Sequence, residues 1–356
     1  VGSQPRGISG SRAAAILGLG EYEGQTVFTA WQLICEERRP GFNASRGYIL
    51  PPPVDNPAVR WGSAFEDAIV ELAGAKRGQN IRYRERLYWV DFNGESKTGS
   101  AMLGPYDPIT CHIDGRYADG VLHEGKTTNL WSFRELWGPP GTDRVPQTYQ
   151  VQTQHQMLCT GATECIVSVL VFPRRTDEWE AEGWSLKAAR WESDGPDGPV
   201  NHWLEKEGMR PVSPSSWARV MAEMGLFHQY PVPASPSLQA MLIDGYRHFW
   251  DHYVLPEREP EIDCYADLRR AFHAPVGTLV VTEQEESWLS EYRMIGEEIS
   301  PSGRLGRRRE ELKTLVLKSA RSRSGSAVPD EESGDKLIFR DSTGRKVGSF
   351  DGKTFR

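Results

Sequence analysis

Two acids and a lysine crowd one short stretch of this chain: Asp114, Glu124 and Lys126, in HIDGRYADGVLHEGK at residues 112–126. The stretch reads as a β-hairpin around Ala118-Asp119-Gly120, because a three-residue loop ending in a left-handed Gly is a common hairpin connection. Tyr117 then pairs with Val121, and Asp114 falls directly opposite Glu124 with Lys126 on the same face. Cβ atoms so paired lie roughly 5 Å apart, and like charges there repel. A divalent cation offsets that repulsion. Two hard carboxylates and the backbone carbonyl of Gly125 suit Mg2+ or Mn2+, and Lys126 is placed to orient or help deprotonate a water beside a phosphate. The same residues also fit plain turn chemistry on a solvated face. A two-residue Asp-Gly turn would shift the register and put Asp114 on the other face.

The elements around the hairpin indicate an α/β domain with a mixed sheet flanked by helices. Helices are expected over 8–18, with Ser9 or Ser11 as N-cap, over 26–37, over 59–75 and over 146–162. IRYRERLYWVDF (81–92) reads as one strand and CIVSVLVF (165–172) as a buried strand. WSFRELWG reads as a short helix or turn, and WSLKAARWE (184–192) as another strand. Residues 193–236 are rich in Pro, Gly and Ser and look like an inserted excursion, after which a helix over 238–254 returns to the domain. The C-terminal region carries a capping box from Thr282 to Glu285, a helix over about 304–319, and a terminal stretch resembling a small β-meander. These readings divide the chain into a domain over 1–256, with an insertion at about 193–236, and a C-terminal region over 257–356.

Composition narrows the class. The chain has 356 residues, a net charge of −7 and no apolar run long enough for a membrane span. That charge argues against coating nucleic acid by bulk attraction, though not against an enzyme that keeps its basic groups local. The five cysteines are scattered without a C-x-x-C pair, so neither zinc, an iron–sulfur cluster nor a disulfide framework is expected. Without a signal-peptide pattern, a reducing cytoplasm is the expected compartment. The basic run 304–323 could follow a DNA backbone, or be a solvated helix face.

D-x9-E-x-K on a hairpin is the core of the PD-(D/E)XK nuclease superfamily, and Asp114…Glu124-Gly125-Lys126 fits it. The segments GISGSRAAAILGLGEY, WGSAFEDAI, IDGRYADGVLHEGKTT and VPQTYQVQTQHQMLCTGA follow in the order seen in YqaJ-like viral recombinases, the lambda exonuclease family. The 28 residues from Glu124 to Gln152 are similar to that family's spacing, and the resemblance covers about residues 6–175. It implies a PD-(D/E)XK restriction-endonuclease-like core, to which the C-terminal residues read above add a helical and β-meander extension.

The resemblance also implies roles. Glu66, in W-G-x-x-x-E, resembles the helical acid that completes the metal shell. Gln152, in Y-x-x-Q-x-Q, resembles the site glutamine, and a helix puts Tyr149, Gln152 and Gln156 on one face; an exposed Glu and a polar helix face are the plainer alternatives. Ser11 and Arg6 resemble a pocket for a terminal 5′-phosphate, although Arg6 is offset by two residues. His112 stands where a small hydroxyl can assist that pocket, or is a packed strand histidine. The implied activity is a Mg2+-dependent 5′→3′ exonuclease on duplex DNA ends, leaving 3′ single strands for an annealing protein. A ring-shaped trimer is implied as well. The alternatives are an endonuclease of the same fold, or an inert DNA-end-binding scaffold.

Overall fold

The computed structural model describes residues 7–20, 25–51, 56–82, 87–92, 96–97, 109–190, 200–272, 277–295, 303–328, 333–352 and 354–355. Two compact units are present: Val1–Glu21 with Pro52–Trp250, and Tyr22–Pro51 with Asp251–Arg356. The expected division near residue 256 did not anticipate that 22–51 groups with the C-terminal unit.

The first unit is built on a five-stranded mixed sheet. Its strands lie in the order Ile81–Arg82, Gly115–Tyr117, Leu122–Asn129, Glu164–Phe172 and Phe227–Pro233. All neighbours are antiparallel except Leu122–Asn129 and Glu164–Phe172, which run parallel. That pair needs a crossover, supplied by the helices Leu130–Leu136 and Gln147–Thr160. Cys165 to Phe172 are all buried, as expected of a strand covered on both faces.

Helix Pro57–Arg77 covers one face. Asn56 caps it by accepting from the Val59 N–H at 3.0 Å, Pro57 opens it, and Gly78 closes it at φ +66°. Its buried stripe of Trp61, Phe65 and Ile69 packs on the sheet, with the Phe65 ring 5.1 Å from Phe172. Each aromatic so buried contributes about 2–3 kcal/mol. Helix Gln147–Thr160 follows Pro146, ends at Gly161 with φ +68°, and covers the other face of the sheet.

Two sequence expectations change here. IRYRERLYWVDF is not one strand: Ile81–Arg82 pairs with Arg116–Tyr117, whereas Leu87–Val90 joins a separate sheet with Ser96–Lys97 and Ile109–His112. An alternating run shows strand propensity but not its partners. The Pro-rich stretch is in part integral. Val200–Glu205 pairs with Ser185–Arg190, Ser213 caps the helix Pro214–Glu223, and Phe227–Pro233 is an edge strand of the main sheet. Pro231 and Pro233 hid that strand, because Pro is tolerated only where its missing N–H faces away from the ladder.

The second unit holds the helices Val27–Arg38, Glu283–Ile295 and Arg304–Ser322. The capping box forms: Thr282 N–H donates to Glu285 Oε2 at 2.6 Å and Glu285 N–H donates to Thr282 Oγ1 at 3.3 Å. The expected meander is a hairpin, Leu337–Arg340 with Lys346–Phe350, joined by Gly277–Val280 in parallel. The basic run 304–323 is largely paired within the unit. Arg308 meets Glu291 at 2.7 Å, Arg321 meets Glu259 at 2.7 and 2.8 Å, and Arg323 meets Glu285. Guanidinium groups held this way have their charge met locally, so the DNA-tracking reading of this run loses its support. Among the described residues, no helix is long and apolar enough to cross a membrane.

Candidate active site

The hairpin takes the register its turn chemistry dictates. Gly115 pairs with His123 and Arg116 with Leu122; Tyr117 N–H donates to the Val121 carbonyl at 2.8 Å, and Gly120 has φ +92°. Carrying the register one residue on sets Asp114 opposite Glu124. Asp114 stands at a bend just before its strand, and its Oδ2 accepts the Gly125 N–H at 2.8 Å.

Three donors converge on Glu124, which is 1% exposed. Lys126 Nζ and Gln152 Nε2 both donate to Oε1, the latter at 2.6 Å, and Gln156 Nε2 donates to Oε2 at 2.6 Å. Lys126 Nζ also lies 5.0 Å from the centre of the Tyr149 ring. Gln152, Gln156 and Tyr149 share one stripe of the helix Gln147–Thr160, which is why one helix can serve both oxygens of the carboxylate.

The opposite face of this strand meets the helix Pro57–Arg77. A Cβ at Gly125 would lie 3.3 Å from Ile69 Cγ2 and 3.6 Å from Asp114 Oδ2. The first distance is tight, so glycine eases the approach of the helix; the second is ordinary van der Waals contact. Glu66 is half-buried on that helix, one turn before Val70 and three residues before Ile69, and its charge reaches Asp114. Burial, chiefly, and then the charge of Glu124 push the Asp114 carboxyl up to about 7, against the pull of Lys126 and the Gly125 N–H. Burial depresses the Lys126 ammonium, but the carboxylates of Glu124 and Asp114 overcome it and raise its pKa.

The structure thus brings together Asp114, Glu124, Gly125, Lys126 and Gln152, with Glu66 within electrostatic reach. The proposed phosphate pocket is less developed. Ser11 is exposed in the first turn of the helix Gly10–Ile16, and its hydroxyl meets that of Ser9 at 3.1 Å. Ser9 is the N-cap residue, without a side-chain cap. This helix start does adjoin the site, since a Cβ at Gly10 would lie 3.4 Å from Gln152 Cγ. The His112 side chain is exposed; its backbone carbonyl instead accepts from Gln156 Nε2 at 3.4 Å. Arg6 lies outside the described residues. Gln156 was legible only as part of a polar helix face; its i+4 spacing from Gln152 was the available signal.

The donor set suits a hard divalent cation. Two acids and a peptide carbonyl offer oxygen ligands only, and the Gln156 Oε1 is buried without a hydrogen-bond partner among the described residues. Still, no three His, Cys, Asp or Glu side chains form a ready metal cage among the described residues.

Residues 2–163 match the family model of the YqaJ-like viral recombinase domain, a little under half of the chain. Solved structures similar to the chain include an alkaline exonuclease from Laribacter hongkongensis, at 15% identity and a TM-score of 0.41 over 72% of this chain and 92% of that one. A phage-related exonuclease from Haemophilus somnus 129PT is similar at 11% identity and a TM-score of 0.41, over 70% of this chain and 96% of that one. No curated protein matches the sequence. The motif order along the sequence and the match to the family model agree: residues 2–163 are similar to the YqaJ-like viral recombinase domain.

Proposed function

We propose that this chain is a metal-dependent DNA exonuclease of the phage-recombination type, acting 5′→3′ on linear duplex ends. The observation that carries the reading is the cluster of Asp114, Glu124 and Lys126 on one hairpin, inside the stretch that matches the recombinase family. Asp114, Glu124 and the Gly125 carbonyl would hold Mg2+, with Mn2+ able to substitute and with Glu66 and Gln152 around it. Such a cation, when bound, supplies Lewis-acid stabilisation of charge on the scissile phosphate.

The chain's own groups do the rest. Lys126 is held charged beside Glu124, which suits a donor rather than a base. It orients the attacking water and offsets the negative charge that builds on the phosphate. The bond from phosphorus to the 3′-oxygen breaks, that oxygen leaves with a proton, and a 5′-phosphate remains. Ser11, Arg6 and His112 are the proposed contacts for the terminal 5′-phosphate. The 3′ single strands left behind would pass to an annealing protein, and the family resemblance favours a homo-oligomer, a ring-shaped trimer, working in the cytoplasm.

Digestion of end-labelled linear duplex, with and without a 5′-phosphate, tests this reading. Wild-type protein with Mg2+ should shorten the duplex from its 5′ ends and prefer the phosphorylated one. Lys126→Ala should slow the reaction by about 100-fold or more. Cutting of closed circles without phosphate preference would make it an endonuclease. No degradation, with Asp114→Ala binding ends as well as wild type, would make it a binding protein.

A further inference from the structure

Gln152 answers to the family motif, but Gln156, one turn later, makes the more unusual pair of contacts. Its amide nitrogen has two N–H donors. One goes to Glu124 Oε2 at 2.6 Å and the other to the His112 carbonyl at 3.4 Å. The first partner is one of the two acids; the second is backbone two residues before the other acid, Asp114. A single buried amide therefore spans the two chain segments that bring the carboxylates together.

The alternatives for this side chain are poor. A carboxylate at 156 would face Glu124 as a like charge, and an apolar residue would leave Oε2 one donor short. The nitrogen must point toward Glu124, since an amide oxygen there would meet a carboxylate oxygen. Gln152 does not duplicate this arrangement: it binds the other oxygen, Oε1, which Lys126 also serves. Between them the two glutamines fix both oxygens of Glu124, and only Gln156 reaches the Asp114 segment as well.

We propose that Gln156 is a positioning residue that holds Glu124 and the His112–Asp114 segment at a fixed separation, so that both carboxylates are preset for a divalent cation. The cation part of this rests on the exonuclease reading; the mechanical part does not. Outer partners of metal ligands typically change metal affinity by about 10- to 100-fold when removed.

The test compares wild-type full chain with Gln156→Leu and the less bulky-shaped Gln156→Met, each first checked by thermal melting. Hydrogen exchange at the Gly125 N–H, measured without metal, should quicken in whichever variant stays folded, because Asp114 is no longer held against that group. Titration calorimetry with Mn2+ should show affinity weakened about 10- to 100-fold, and kcat on linear duplex should fall with KM for DNA unchanged. Unchanged exchange at Gly125 overturns the proposal whatever the activity. Wild type that neither binds Mn2+ nor cuts DNA, with exchange still faster in the variants, sinks the exonuclease reading and leaves the hold itself supported.

Discussion

Asp114 accepts the backbone N–H of Gly125 at 2.8 Å, so the acid that opens the hairpin is tied to the residue between Glu124 and Lys126. The bond needs only an acceptor oxygen, which Asn also has. The charge, by contrast, is unwelcome: burial and Glu124 raise the carboxyl to about 7 from an ordinary 3.8. A group whose folded pKa is raised contributes stability that is fully present below its unfolded value and lost as pH rises through the folded one. Metal-free wild type should therefore lose melting temperature between about pH 4 and pH 7, and Asp114→Asn should melt higher than wild type at pH 8. Its nuclease activity should drop by about 100-fold or more. Thermal melts in a chelator, paired with end-digestion rates, check both; an Asp114→Asn protein that melts lower at pH 8 contradicts the assignment.

Glu66 acts on Asp114 in the same direction as Glu124. Replacing it with Gln removes a like charge and should lower the Asp114 titration midpoint. Carbon NMR of labelled aspartate in metal-free protein would show it. A midpoint equal to that of wild type means Glu66 is too remote to join the site.

His155 is buried between the Thr110 carbonyl, 2.8 Å from Nε2, and the Tyr246 hydroxyl, 2.9 Å from Nδ1. Burial lowers its pKa from 6.5 to about 4. A depressed folded value means stability that is present above pH 6.5 and lost as pH falls toward 4, on the order of 3 kcal/mol in all. Asp114 works the opposite way over that window, so the Asp114→Asn background isolates the effect. Imidazole NMR should find His155 neutral down to about pH 5; a midpoint near 6.5 would sink the prediction.

The arginines of the basic run predict a stability effect without a DNA effect. Arg321→Ala breaks a half-buried pair with Glu259 and should cost about 1 kcal/mol in denaturant unfolding. The slope of DNA affinity against salt should stay as in wild type, because the lost charge faced an acid rather than phosphate. A slope reduced by about one unit would return this helix to the DNA interface.

How much of this was legible depended on whether the information was local. The hairpin register was, since one left-handed Gly fixes which residues oppose one another, and Gly120 does so here. Helix ends marked by Asn56, Pro57, Pro146 and Gly161 were local too. The splitting of 81–92 between two sheets was not, because strand partners lie tens of residues away. Nor was the pairing of Arg308, Arg321 and Arg323 with acids elsewhere in the unit, which turned a bare-looking charge run into an ion-paired one. Gln156 lay between these cases: its helix face could be read, but not that Glu124 would need two amides.

The strand Phe227–Pro233 has one more consequence. Gln229 and Pro233 turn their carbonyls away from the neighbouring strand, one taken by the Gly141 N–H at 3.1 Å and the other by Gln154 Nε2 at 2.8 Å. Pro231 and Pro233 offer no N–H on that side. A sheet margin with two of its acceptors taken and two donors missing offers a visiting strand only a broken ladder. Growth of the sheet by strand addition is disfavoured at that side, so side-chain surfaces are the better meeting ground there for copies of this chain that associate.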